Sequence, residues 1–259
     1  MDPVIFSLGP VQLRWYGLLF ASGFLIGYSV VQWMYRQEGK PEKDLDTLCV
    51  TLVLGTIVGA RLGHCLFYEP AKYLADPLSI LKVWEGGLAS HGGVIGNLLA
   101  LWWYARKRPD QPYIWLLDRV CVPTALTACF IRLGNFFNSE IVGKVTDVPW
   151  AIIFVRNSRP PVMEPRHPAQ LYEAACYFGV FLLLLWMYRR KKAATPHGLL
   201  IGLFMVLVFA ARFAIEYVKE PQIEALRDAS LSMGQWLSLP AIAFGIWLIV
   251  RSRRAVPTP

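Results

Sequence analysis

Residues Gly198 to Val218 read G-L-L-I-G-L-F-M-V-L-V-F-A-A-R-F-A-I-E-Y-V. A bilayer hydrocarbon core about 30 Å thick needs about 20 helical residues to cross it. This run has that length and is broken only by Arg212 and Glu216 near its end. It reads as a transmembrane helix, because only a helix satisfies every backbone group along such a stretch without water. An Arg at mid-span costs about 2.5 to 3.5 kcal/mol on insertion scales, so such a residue faces a polar cavity or a partner.

Moving outward from this run, six more of similar character appear: Tyr16 to Met34, Leu45 to Tyr68, Leu88 to Tyr104, Ile114 to Ile131, Ala169 to Tyr188 and Gln235 to Val250. The whole chain agrees, with 55% hydrophobic and only 17% charged residues, a balance unlike that of a soluble domain. Ten Trp and eleven Tyr suit the aromatic belts at the two membrane interfaces. The first run is about 20 residues long where a cleaved signal peptide has a core of about 7 to 15, and Asp2 stands where a basic cluster would be, so it is expected to be a retained span.

The net charge of +8 does not point to nucleic acid, because the basic residues fall in short segments between apolar runs rather than on one face. One set of connections (35–44, 105–113, 189–197, 251–259) carries 13 Lys and Arg in 37 residues, whereas the other (1–15, 69–87, 133–168, 219–233) carries 9 in 85. The first set is therefore expected on the cytoplasmic side. The fold expected is an all-α polytopic membrane protein of seven spans, N-terminus outside and C-terminus inside, forming one integral domain over 1–259. The 36-residue, Pro-rich connection 133–168, with strand-like Trp150 to Val155, is expected to insert a small extracytoplasmic head between spans 4 and 5. No internal repeat is visible. The five cysteines lie in apolar runs with no ligand spacing, and read as small core residues. No metal or other cofactor is called for.

Chemistry concentrates at the outer ends of the spans. Arg132 to Thr146 reads R-L-G-N-F-F-N-S-E-I-V-G-K-V-T. Helical spacing brings Arg132 and Asn135 to neighbouring faces unless Gly134 breaks the turn. A guanidinium beside amide donors at headgroup depth suits a phosphate, which Arg grips with two parallel hydrogen bonds. The alternative is a snorkelling Arg with a capping Asn. Arg61 and Arg119, in or at the ends of other spans, read as structural ion pairs or helix-end anchors. Glu216, four residues after Arg212, shares a helical face with it and reads as its intramembrane partner.

The Arg132 to Thr146 segment resembles the signature of the prolipoprotein diacylglyceryl transferase family. Four further blocks resemble it in the same order: G-P-V-Q-L-R-W-Y-G (Gly9 to Gly17), G-G-L-A-S-H-G-G-V-I-G (Gly86 to Gly96), H-P-A-Q-L-Y-E (His167 to Glu173) and S-M-G-Q (Ser232 to Gln235). The resemblance implies a bacterial inner-membrane enzyme whose partners are phosphatidylglycerol, a prolipoprotein signal peptide with a lipobox cysteine, and membrane lipids. The thiol of that cysteine attacks the glyceryl carbon, forming a thioether and releasing glycerol phosphate.

Carried over residue by residue, the resemblance implies catalytic roles for His91, Arg132 and Arg212, and substrate-binding roles for Tyr16, Asn135, Asn138, Glu140, Gly143 and Glu216. For His91, a thiol base stands beside a structural hydrogen bond across helices; for Tyr16, headgroup binding stands beside an interface-belt role. Glu140 is expected to hold Arg132, and Gly143 to permit a turn. His167, Gln170, Tyr172 and Glu173 serve capping and packing or catalysis. Two departures stand out: Val208 where some members carry Tyr, and Ala169 where a small hydroxyl residue is common.

Transporters and channels also bury charges, but here the polar residues gather near one interface and no repeat symmetry is present. A retinal protein needs a Lys in its last span, and Gln235 to Val250 has none. The aspartate array of CDP-alcohol transferases is missing too.

Overall fold

The structure is a computed structural model that describes residues 2–9, 11–156, 164–220 and 231–254. Helices dominate. After an N-terminal hairpin of β1 (Val4–Leu8) and β2 (Val11–Arg14) come α1 (Trp15–Gln37), α2 (Glu42–Phe67), the short α3 (Pro70–Ala75), α4 (Ser90–Arg106) and α5 (Tyr113–Asn138). The small β3 (Ile152–Ile153) and β4 (Pro165–Arg166) precede α6 (Ala169–Lys191), α7 (Leu199–Ile215) and α8 (Met233–Arg254). Among the described residues, six helices are long and apolar enough to cross a membrane: α1, α2, α5, α6, α7 with its 3-10 extension to Val218, and α8. This is the makeup of a multi-pass membrane protein. All seven expected runs are helical, but the third folds as the 17-residue α4, which is not among these six.

The chain divides into two compact units, Met1–Met34 with Asp118–Pro259, and Tyr35–Leu117. In the second unit α2 and α4 pack backbone to backbone. A Cβ on Gly59 would lie 2.7 Å from Gly96 Cα, and one on Gly63 the same distance from Gly92 Cα. Small residues allow this approach, which substitutes packing for the hydrophobic effect that lipid does not provide. Arg61 is buried near the end of α2 and donates to four main-chain carbonyls, those of Ser79, Ile80, Gly86 and Gly87, at 2.6 to 3.3 Å. Tyr73 lies under its guanidinium at 5.1 Å. The charge thus anchors the 79–87 connection through backbone dipoles, the anchoring role expected for it, with carbonyls in place of a carboxylate.

In the first unit the core runs between α5, α6 and α7, with Val122, Leu126, Tyr177, Leu184, Leu200 and Val208 among its buried members. Asp118, fully buried on α5, accepts hydrogen bonds from the main-chain N–H of Gly198 (2.6 Å) and Ile201 (2.9 Å). It thereby caps the α7 N-terminus, whose first amides have no partner in their own helix. Arg119 is equally buried, 3.9 Å from Asp118 and 5.8 Å from the Tyr188 ring, an internal ion pair as the sequence indicated.

The connection after α5 is less open than expected. The helix runs through Gly134 to Asn138, so Gly134 breaks no turn. A Cβ there would lie 2.7 Å from Tyr16 Cδ2, and its absence lets Tyr16 seat against α5. The chain reverses at Ser139 (φ 58°) and Ile141 (φ 57°), conformations uncommon for residues with a Cβ and costing about 1 to 3 kcal/mol each. It then runs as an extended segment flanked on both sides. Gly143 N–H donates to His167 O (3.0 Å) and Lys144 N–H to Val218 O (2.8 Å), with a β-bridge from Gly143 to Lys219. Gly143 therefore permits no turn. A side chain there would meet His167 Cβ at 2.5 Å and Val218 O at 2.8 Å, so it is a squeezed strand position. The expected β structure is present, in the β3–β4 pair (Ile152 with Arg166, Ile153 with Pro165); residues 157–163 of this connection lie outside the described residues.

Candidate active site

Arg132 lies nearly two turns before the end of α5, with its side chain 15% exposed. Its Nη1 donates to Asn135 Oδ1 at 3.3 Å, as the three-residue spacing predicts. Its Nε lies 2.8 Å from Glu173 Oε2, at an angle that makes this an ion pair rather than a directed hydrogen bond. Asn135 in turn donates to Glu140 Oε2 (2.9 Å), and Asn138 to Glu140 Oε1 (3.2 Å). Glu140 therefore does not grip Arg132, as expected from the sequence, but fixes Asn135 so that its amide oxygen faces the guanidinium. Gln170 Nε2 donates to the Glu140 carbonyl at 2.5 Å and pins the reversal in place.

Glu173 is fully buried on α6 and serves two cations. Opposite Arg132, its Oε1 accepts from Lys219 Nζ at 3.3 Å, and Lys219 also lies 3.3 Å from Glu216 Oε2. Charges alternate along Arg132, Glu173, Lys219 and Glu216. This overturns the expected Arg212–Glu216 pair. α7 ends at Ile215, and a 3-10 turn covers Glu216–Val218. Side chains three apart eclipse in that geometry, so Glu216 meets Lys219 instead. Arg212 is left without a carboxylate or hydrogen-bond partner among the described residues. Gly234, in the first turn of α8, completes the packing: a Cβ there would lie 2.8 Å from Glu216 Oε1.

Both arginines reach Tyr177, a buried phenol on α6 within interaction range of Glu173, Arg132 and Arg212. Val208, at the position where a Tyr was lacking, is buried in the apolar core, and Tyr177 supplies a phenol beside Arg212. Tyr16, half-buried at the start of α1, lies within interaction range of Glu140 and Arg132.

A match to the sequence pattern of the prolipoprotein diacylglyceryl transferase family covers residues 3–251. The chain belongs to that family. Proteins named phosphatidylglycerol--prolipoprotein diacylglyceryl transferase are similar over nearly their whole length. The one from Tolumonas auensis is 54% identical, over 98% of this chain and 96% of the relative. Those from Chloroherpeton thalassium and Porphyromonas gingivalis are 50% and 46% identical, over 97% of this chain and 92% and 93% of the relatives.

The family motifs divide by what they do here. His167 Nδ1 and Trp150 Nε1 both contact the Tyr172 hydroxyl, at 3.2 and 2.7 Å. H-P-A-Q-L-Y-E thus ties the post-α5 connection to α6 while presenting Glu173 inward. S-M-G-Q is a capping box, with Gln235 N–H donating to Ser232 Oγ (3.2 Å) and Ser232 N–H to Gln235 Oε1 (3.0 Å). His91, in the second unit, is the second residue of α4. It is exposed and makes no hydrogen bond or ion pair among the described residues, so the expected alternative of a cross-helix bond has no counterpart. Lys219 was missed by sequence reasoning, having no local motif to mark it.

Proposed function

We propose that this chain transfers the sn-1,2-diacylglyceryl group of phosphatidylglycerol to the lipobox cysteine thiol of prolipoproteins in the bacterial inner membrane, the first step of lipoprotein maturation. The sulfur–carbon bond forms as the carbon–oxygen bond to phosphate breaks, and glycerol phosphate leaves. A phosphodiester leaves poorly unless its growing charge is met by donors fixed in advance. The observation that carries this reading is the pair of arginines about Tyr177. Arg132 is held by Glu173 and Asn135 with donors to spare, and among the described residues Arg212 has no carboxylate to neutralise it. Tyr16, Asn138 and Gly143 shape the headgroup pocket, Glu140 and Glu216 hold its donors, and His91 takes the thiol proton.

The orientation is N-terminus outside and C-terminus inside with seven spans, α4 being the third. Seventeen residues reach about 25 Å and lie at the short end of the spanning range of about 17 to 25 residues. Support comes from the helix ends assigned to the inside. The ends of α4, α6 and α8 carry cations stacked on an aromatic ring one turn back: Arg106 on Trp102 (4.1 Å), Lys107 on Trp103 (3.8 Å), Arg190 on Trp186 (4.2 Å) and Arg251 on Trp247 (5.3 Å). Such pairs belong at an interface. The 139–168 connection then forms the extracytoplasmic head. Incubation of the purified chain with phosphatidylglycerol and a lipobox peptide tests the activity: mass spectrometry should find a diacylglyceryl thioether on the cysteine, and an unmodified peptide refutes it.

A further inference from the structure

At the opposite ends of α1 and α6 from Tyr16 and Glu173, the two helices are joined through Tyr188. Its hydroxyl donates to Met34 O at 3.3 Å, and its ring meets that of Trp33 edge-on at 5.5 Å. Beside this contact a groove of about 330 Å³ opens on the surface, lined by Ile26, Ser29, Val30, Trp33, Leu185 and Arg189. The volume falls at the small end of the range for ligand sites, about 300 to 1,000 Å³. Its α1 residues follow the i, i+3, i+4, i+7 spacing of one helical face and extend over about 10 Å of axis. The Ser29 hydroxyl donates to its own Leu25 carbonyl, so the walls are effectively apolar and the charge sits at one mouth.

Arg189 differs from the other helix-end cations. Arg190 and Arg251 stack on a ring of their own helix, whereas Arg189 reaches across to Trp33 of α1, 6.0 Å from the ring centroid. It is exposed and has no ion pair or hydrogen bond among the described residues. A guanidinium lying on an aromatic face keeps its planar edge of donors free for a phosphate. The carbonyl end of α6 repels an anion, but four consecutive cations, Arg189 to Lys192, stand against it.

We propose that this groove binds one phospholipid with an anionic headgroup, its phosphate on Arg189 and an acyl chain along Ile26, Val30 and Leu185. The assignment to the cytoplasmic leaflet rests on the orientation proposed above; the lipid chemistry does not. This site is separate from the donor site at the other end of α1 and α6, a helical distance of about 25 Å, and its lipid is not consumed.

Native mass spectrometry of the purified full chain, titrated with phosphatidylserine or phosphatidylcholine, tests it. Phosphatidylserine is anionic and has a headgroup other than the donor's. The wild type should retain phosphatidylserine in preference to phosphatidylcholine. Arg189→Gln should weaken that retention about fivefold, the equivalent of about 1 kcal/mol for a cation near the surface. Val30→Trp, which fills the groove and keeps every charge, should weaken it comparably. Arg253→Gln, which removes a cation at the end of α8 outside the groove, should leave it unchanged. Equal losses in Arg189→Gln and Arg253→Gln would mean diffuse attraction to surface charge and overturn the proposal, as would wild-type retention in folded Arg189→Gln. If Val30→Trp does not fold, the contrast between the two arginine variants decides alone.

Discussion

Replacing Glu173 with Gln keeps the shape of the side chain and removes the charge that Arg132 and Lys219 share. Glu173 is fully buried, and its partners' side chains are only 15% and 6% exposed, so water cannot take over its role. Breaking a buried pair by removing one partner costs about 3 to 5 kcal/mol. The Gln oxygen still accepts from one cation and Lys219 keeps Glu216 at 3.3 Å, which places the cost near about 3 kcal/mol. For a chain of this size that lowers the unfolding midpoint by roughly 6 to 12 °C. Turnover should fall further than stability explains, because Arg132 loses its 2.8 Å anchor, and a displacement of about 1 Å at a reacting centre costs about 100-fold. The assay is diacylglyceryl transfer to a lipobox peptide under saturating phosphatidylglycerol, with thermal unfolding followed on the same preparation. A folded Glu173→Gln protein with turnover within about twofold of wild type would show that Arg132 is positioned by something else, and would refute the reasoning.

Arg132→Lys keeps the charge but loses the planar fork, and turnover should drop about 100- to 1000-fold with a smaller change in lipid retention; near-wild-type turnover in folded protein would return Arg132 to an interfacial anchor. Arg212→Lys should weaken phosphatidylglycerol binding as well as turnover, and unchanged binding would remove it from the headgroup. Gly59→Ala pushes a methyl toward Gly96 Cα at 2.7 Å and should cost about 1 to 3 kcal/mol, read as a lower unfolding midpoint; a midpoint equal to wild type would mean the α2–α4 seam is loose. Cysteines placed at Lys191 and Lys144 should label only from the cytoplasmic and only from the outer side respectively, and the reverse result would invert the orientation.

The helices were legible because a membrane demands long apolar runs, and each expected run lies in a helix whose ends differ by a few residues. Gain of length was the common error: α5 continues through Gly134, where a break stood as an alternative, to Asn138, because a glycine against Tyr16 serves packing rather than a turn. The site was legible as a set of residue types but not as a set of pairs. Spacing alone assigned Glu216 to Arg212, yet the change from α to 3-10 geometry after Ile215 hands it to Lys219. Glu173 and Lys219 come from segments 46 residues apart, and nothing local in either announces the other. Gly143 was read as a turn because a lone glycine in a loop usually is one, whereas its role depends on two flanking segments distant in sequence.

The cap that Asp118 places on α7 bears on biogenesis. In a protein inserted helix by helix, α5 enters the bilayer while the amides that Asp118 binds are still 80 residues from it along the chain. During that interval the Asp118 carboxylate lacks the amides that it caps, a costly state for a charged group in a membrane-spanning helix. α5 is therefore best kept beside the insertion machinery until α6 and α7 arrive, and its docking to α7 completes the polar site in one step. A nascent chain stalled before Gly198 would carry the uncapped carboxylate as a mark of incompleteness, recognisable to membrane quality control without any unfolding of the helices already made.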